Sequence, residues 1–232
     1  MEPGAGIPAS SDPLENADAG PKKQFPRGTS IPGLVLTGVL VAAFVIHLPR
    51  GQVMWEWAVS AEILREGYWQ NVLLHMFAHA GFFHILLNSA ALVSLSPAVV
   101  ARLGTSPAGW LRYFVLFVLC GLAGLAVFLS IHPFGDVPML GASGAIFGFA
   151  GFLVRYPGGS DTPTPLLSGA TGKAVVEFVK TNLILIVLLT VPALLQGQSG
   201  GVAWEGHLGG FLFGLLAAPL FVPQNASRGE AG

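Results

Sequence analysis

Three stretches of this sequence set polar, reactive side chains inside otherwise apolar runs. HMFAHAGFFHILLNSAAL carries His75, His79, His84 and Asn88; GASGAIFGFAGFLVRY carries Ser143; WEGHLGGFLFGLLAAPLF carries His207. Polar groups within membrane-embedded runs are expensive, so each one is a functional candidate by default. A serine and a histidine are the minimal pair for acyl transfer, the hydroxyl as nucleophile and the imidazole as general base. His84 and Asn88 lie four residues apart and share a helical face, about 40° from each other on the wheel. Both can donate hydrogen bonds, which suits an oxyanion site beside Ser143. On a continuous helix His79 falls about 140° from His84, a position for bracing the loop rather than touching substrate. His75 and His79 have a metal-like spacing, but the glutamate of an HExxH motif is absent and no carboxylate lies near, so no metal is expected.

A serine in a membrane helix usually only packs or bonds back to a carbonyl, and a histidine at a helix end usually sits at the water interface. The glycines change that reading. His207, Gly210 and Gly214 fall at i, i+3 and i+7, and Gly144, Gly148 and Gly151 make a similar stripe after Ser143. Two glycine faces let two helix backbones approach closely. A serine that begins one stripe then comes within hydrogen-bonding reach of a histidine that begins the other. No strand precedes GASG, so this is not the elbow of a soluble hydrolase. Asp136 reads as a loop residue, and Glu205 is two positions from His207, on a different part of the helix. The economical arrangement is a Ser/His dyad without a carboxylate.

The elements that must hold these residues are membrane helices. Of 232 residues 53% are hydrophobic and 10% charged, with a mean hydropathy of +0.67. A soluble domain carries roughly 25% charged residues. Net charge is -1, which gives no argument for nucleic acid. Six segments have the apolar length of a span or nearly so, roughly 33–49, 71–100, 110–131, 140–156, 178–195 and 203–222. Gly141 to Tyr156 would rise only about 24 Å as a helix, short of a hydrocarbon core of about 30 Å. With Arg155 and Tyr156 at the cytoplasmic face, Ser143 lies near a helix N-terminus within the membrane's depth. Free N–H groups and the positive dipole end there favour a developing oxyanion. Irregular backbone at that depth must line a water-filled cavity, which hydrolysis also needs.

Residues 55–69, WEWAVSAEILREGYW, read as an amphipathic element in the interface, and the stretch after the fourth segment reads as an aqueous loop. The single cysteine, Cys120, reads as a small lipid- or core-facing residue. Residues 1–30 read as a disordered tail, not a secretory signal; 31–223 form the six-helix domain and 224–232 a short tail. Nine of the eleven Lys and Arg residues fall on the side of the N-terminus, leaving Arg50 and Arg65 opposite. That split predicts cytoplasmic N- and C-termini.

Taken together these motifs resemble the rhomboid proteases. The family's histidine, histidine, asparagine pattern of the second span stands here as His79, His84 and Asn88. Its GxSG motif is Gly141, Ala142, Ser143 and Gly144, and its last-span histidine with two glycines is His207, Gly210 and Gly214. An aromatic residue four after the serine, which packs on the histidine in this family, is Phe147. The match covers roughly 50–222 in the right order; the first loop departs from it, with Trp69-Gln70 where the family often has Trp-Arg. The resemblance implies an all-α polytopic membrane protein, a six-transmembrane-helix rhomboid-like bundle in the plasma membrane. It implies cofactor-free cleavage of transmembrane protein substrates near the outer face. The acyl-enzyme would form on Ser143, with Asn88, His84 and the Ser143 N–H holding the oxyanion. Two rival readings are a catalytically inactive relative that binds membrane proteins and a transporter. Oligomeric state, substrate and gating element are open.

Overall fold

Helix starts and stops follow local chemistry. Pro32 in the first turn opens α1 (Ile31–His47). Ser106 caps α5 (Pro107–Ile131), its hydroxyl accepting the Gly109 N–H at 3.3 Å. α4 (Phe82–Leu103) is bounded by two glycines at positive φ, Gly81 at 106° and Gly104 at 101°. The computed structural model describes residues 25–51, 53–157, 162–195 and 202–223. The remaining α-helices are α2 (Ala61–Arg65), α3 (Asn71–Leu74), α6 (Ser143–Arg155), α7 (Gly169–Leu195) and α8 (Trp204–Phe221). Among the described residues, sheet pairing is confined to two isolated bridges, Val53 with Ala80 and Val59 with Met139. Most of the proposed N-terminal tail (1–24) and all of the C-terminal one (224–232) lie outside the described residues.

Ile31–Arg50, Phe82–Leu103 and Pro107–Ile131 are long and apolar enough to cross a membrane by length and composition, and α6 is a shorter apolar helix of 13 residues. Lipid-facing character is visible on the outside: Val35 and Ile46 of α1 and Leu183 and Ile184 of α7 are exposed.

α6 is the centre of the bundle, packed against α8, α5 and α4, while α1 lies on α4. Phe149 and Phe152 of α6 are fully buried. Glycine makes this packing possible. A Cβ on Gly210 would strike the Gly144 carbonyl, one on Gly214 the Gly148 carbonyl, and one on Gly148 the side chain of Cys120. α8 is also seated on α5, where a Cβ on Gly124 would come 2.6 Å from the Gly206 carbonyl and one on Gly209 2.5 Å from the Ala123 carbonyl. Backbone thus meets backbone on two sides of α8. A Cβ on Gly144 would lie 3.1 Å from the same Gly206 carbonyl, so Gly124, Gly144 and Gly206 share one level. Gly124 is seven residues before the end of α5, which sets the start of α6 about 10 Å below that end. The short helix therefore starts inside the bundle.

The structure corrects the second apolar segment. Residues 71–81 do not continue α4. They form α3, a 3-10 turn (His75–Phe77) and an extended stretch that ends at Gly81. His79 is consequently in a loop, and its expected helical angle to His84 does not apply. The segment 55–69 is likewise not one amphipathic element but a 3-10 turn (Trp55–Trp57), α2 and a turn. Side chains staple this first loop in addition to the burial of Met54, Ala58 and Val59: Asn71 Nδ2 donates to the Glu56 and Ala58 carbonyls at 3.0 and 2.7 Å. Arg65 donates to the Pro133 carbonyl at 2.8 Å and lies 5.1 Å above the Phe134 ring, tying the loop to the segment before α6.

Candidate active site

Ser143 is the first residue of α6, so the N–H groups of its opening turn have no intrahelical acceptor. The chain enters this turn through Gly141, at φ 121°, whose N–H donates to the His75 carbonyl at 2.8 Å. An L-side chain is strained at that φ. His207 stands in the first turn of α8, its own N–H bonded to the Ala203 carbonyl at 3.3 Å. The seating of α8 on α6 brings the two together: His207 Nε2 is 2.8 Å from Ser143 Oγ.

Two more groups hold the imidazole, and a third backs one of them. Phe147, one turn beyond Ser143, packs over it with ring centroids 4.3 Å apart and 30° between planes. His207 Nδ1 is 2.8 Å from Asn182 Oδ1 on α7. Phe178, one turn before Asn182, meets Phe147 edge-on at 5.3 Å and stacks on Phe211 at 4.0 Å. Sequence reasoning did not single out Asn182 or Phe178 as site residues. An asparagine within the apolar run 178–195 was the signal for the first of them; Phe178 had none.

α4 supplies the other wall. His84 Nδ1 accepts the Ala80 N–H at 3.2 Å, which leaves the proton on Nε2. A Cβ at Gly141 would lie 2.7 Å from that Nε2 and 3.7 Å from Asn88 Nδ2. Two donors from α4 therefore flank the backbone just before Ser143. Among the described residues the buried Asn88 Nδ2 has no hydrogen-bond partner. His79 sets its ring edge against His84 at 5.0 Å, with Nδ1 3.2 Å from the Phe77 carbonyl. His75 Nδ1 is 3.1 Å from the Asn71 carbonyl. Among the described residues no three His, Cys, Asp or Glu side chains converge as metal ligands would. Asp136 is exposed in its loop. Glu205 is buried but paired with His132 at 2.9 Å, linking the ends of α5 and α8.

The comparisons with known proteins agree with these motifs. Residues 65–224 match the model of the Rhomboid domain. Over 174 residues the chain is 26% identical to the rhomboid protease GluP of Bacillus subtilis, covering 75% of this chain and 30% of GluP. It is 26% identical over 167 residues to the Rhomboid-type serine protease 2 of Emericella nidulans, covering 71% of this chain and 29% of that protein. It is 30% identical over 164 residues to the uncharacterized protein Mb1372 of Mycobacterium bovis, covering 70% and 63% respectively. The chain thus spans less than two thirds of the length of each of these relatives. With a match over more than half its length, on an all-helical frame apolar enough to be an integral membrane protein, the chain belongs to the rhomboid family.

Proposed function

We propose that this chain is an intramembrane serine endopeptidase that cleaves transmembrane protein substrates through an acyl-enzyme. The observation that carries the reading is the 2.8 Å contact between His207 Nε2 and Ser143 Oγ at the start of a buried helix. In the reaction Nε2 takes the Ser143 proton as Oγ attacks the scissile carbonyl. The oxyanion develops where the Ser143 N–H, His84 Nε2–H and the unpartnered Asn88 Nδ2 can converge; preorganised donors of this kind stabilise the transition state. His207 then protonates the leaving amine, and a water molecule, deprotonated in turn by His207, hydrolyses the ester. Ser143 and His84 are partly exposed, which leaves room for substrate and water. The Lys and Arg distribution supports cytoplasmic termini; the plasma membrane, 31–223 as the protease domain and cleavage near the outer face follow from the rhomboid protease reading.

The test is cleavage of a panel of model transmembrane substrates by the purified protein, with products read by mass spectrometry. Ser143→Ala and His207→Ala should each lose turnover by a factor on the order of 10⁶, since such pairs act as one unit. Both variants should remain folded, and wild type alone should react with a fluorophosphonate. Appreciable turnover by Ser143→Ala would sink the mechanism, and a wild type inert to probe and substrates would favour an inactive relative or a transporter.

A further inference from the structure

We propose that Asn182 is a positioning residue, which fixes the tautomer and ring orientation of His207 from the neighbouring helix α7. This rests on the protease reading for its kinetic consequences, though not for its geometry. Asn182 Nδ2 lies 3.1 Å from the Phe178 carbonyl, an atom that can only accept. The amide is thereby oriented with Oδ1 toward His207 Nδ1, 2.8 Å away. Oδ1 also only accepts, so Nδ1 must carry the imidazole proton. Nε2 is then left with its lone pair facing the Ser143 hydroxyl at 2.8 Å, the state a general base needs. One backbone carbonyl on α7 thus determines, through one amide, which nitrogen of His207 is basic.

A purely structural role explains less. Asn182 is 7% exposed in a run where leucine would cost nothing, and a buried amide is costly unless its bonds are needed. Its two hydrogen bonds go to its own helix and to His207, so the bond that leaves the helix is the one to the imidazole. Phe178 acts on the same ring through Phe147, and Phe178 and Asn182, four apart, share one face of α7. Other charged groups nearby are engaged elsewhere. Glu205 of α8 binds His132, just past the end of α5, at 2.9 Å, and Glu177 and Lys180 of α7 pair with each other at 3.0 Å. His84 of α4 has Nδ1 bonded to the Ala80 N–H.

Two measurements on the full chain in lipid nanodiscs decide it. The first is the ¹⁵N spectrum of the histidine rings, with His207 assigned by its loss in His207→Ala. Wild type should show Nδ1 protonated and Nε2 bare, and Asn182→Leu should lose that pattern. The second is kinetic. Asn182→Leu should lower kcat by about 10- to 100-fold, less than the about 10⁴-fold loss when a buried anion beside a catalytic histidine is removed, with KM within about twofold. Asn182→Asp keeps an acceptor in place and should recover most of kcat. A wild-type His207 protonated on Nε2 would overturn the proposal. So would Asn182→Leu with unchanged kcat and an unchanged ring spectrum. If wild type fails to cleave, the protease reading falls, and the ring spectra alone decide the role of Asn182.

Discussion

α7 and α8 both hold His207, and they do it by opposite means. α8 is wedged between α5 and α6 with its glycines against carbonyls on both sides, so its axial position is fixed by backbone contact. Among the described residues α7 meets the bundle through few side chains, Phe178 and Asn182 included. The first helix determines where the imidazole is; the second determines how it is turned. Position here depends on the absence of side chains, orientation on their identity. Disturbing α8 should therefore cost fold and function together, whereas disturbing α7 should cost function first.

Among changes to the two helices' packing, the largest effect should come from Gly210→Val. Its Cβ alone would strike the Gly144 carbonyl, and a shift of about 1 Å between the helices can cost on the order of 10²-fold in rate. Overpacking of this kind typically costs about 1–3 kcal/mol of stability, so activity and detergent melting temperature should fall together. Full activity with an unchanged melting temperature would mean that the glycine faces of α6 and α8 do not meet. An intermediate effect is expected of Phe178→Ala, which removes the edge contact with Phe147 and the stack on Phe211. Losing about one aromatic pair's worth of orientation, roughly 1.4 kcal/mol, corresponds to about a tenfold drop in kcat. The melting temperature should move little, and a drop as large as that of Gly210→Val would erase the distinction between the helices. The smallest effect, of opposite sign, belongs to Gly172→Ala on α7. A Cβ there meets nothing within 4 Å, so the gain in helix propensity, about 0.5–1 kcal/mol, should appear as slightly higher stability with unchanged kcat. Destabilisation would show that α7 is seated as tightly as α8.

Legibility in the sequence follows the same division. The pairing of Ser143 with His207 could be read because glycine spacing encodes a contact face, and a residue at the head of each face must meet its counterpart. Phe147 could be placed only through resemblance to a family. Asn182 escaped because it directly follows Lys180 and Thr181 at the polar end of the apolar run, where one more amide does not stand out. Residues 71–81 read as membrane helix because hydropathy cannot separate a buried loop from a span. The positive-φ turn at Gly81 and the side-chain staples from Asn71 carry that distinction, and the staples reach partners 13 and 15 residues away. Arg65 is a similar case: its partner, the Pro133 carbonyl, is 68 residues away.

Cys120 turns the glycine packing into something that can be timed. It is the sole thiol in 232 residues, fully buried, and it fills the space that a side chain on Gly148 would take. A maleimide small enough to enter lipid can reach its sulfur only when α5 and α6 part. When reclosing is faster than labelling, the observed rate is the opening equilibrium multiplied by the reagent's intrinsic rate, the same logic that reads local opening from amide exchange. The native chain thus carries its own clock for transient separation at its centre. Comparing that clock in micelles and in bilayers would show how firmly the surrounding lipid keeps the helices together.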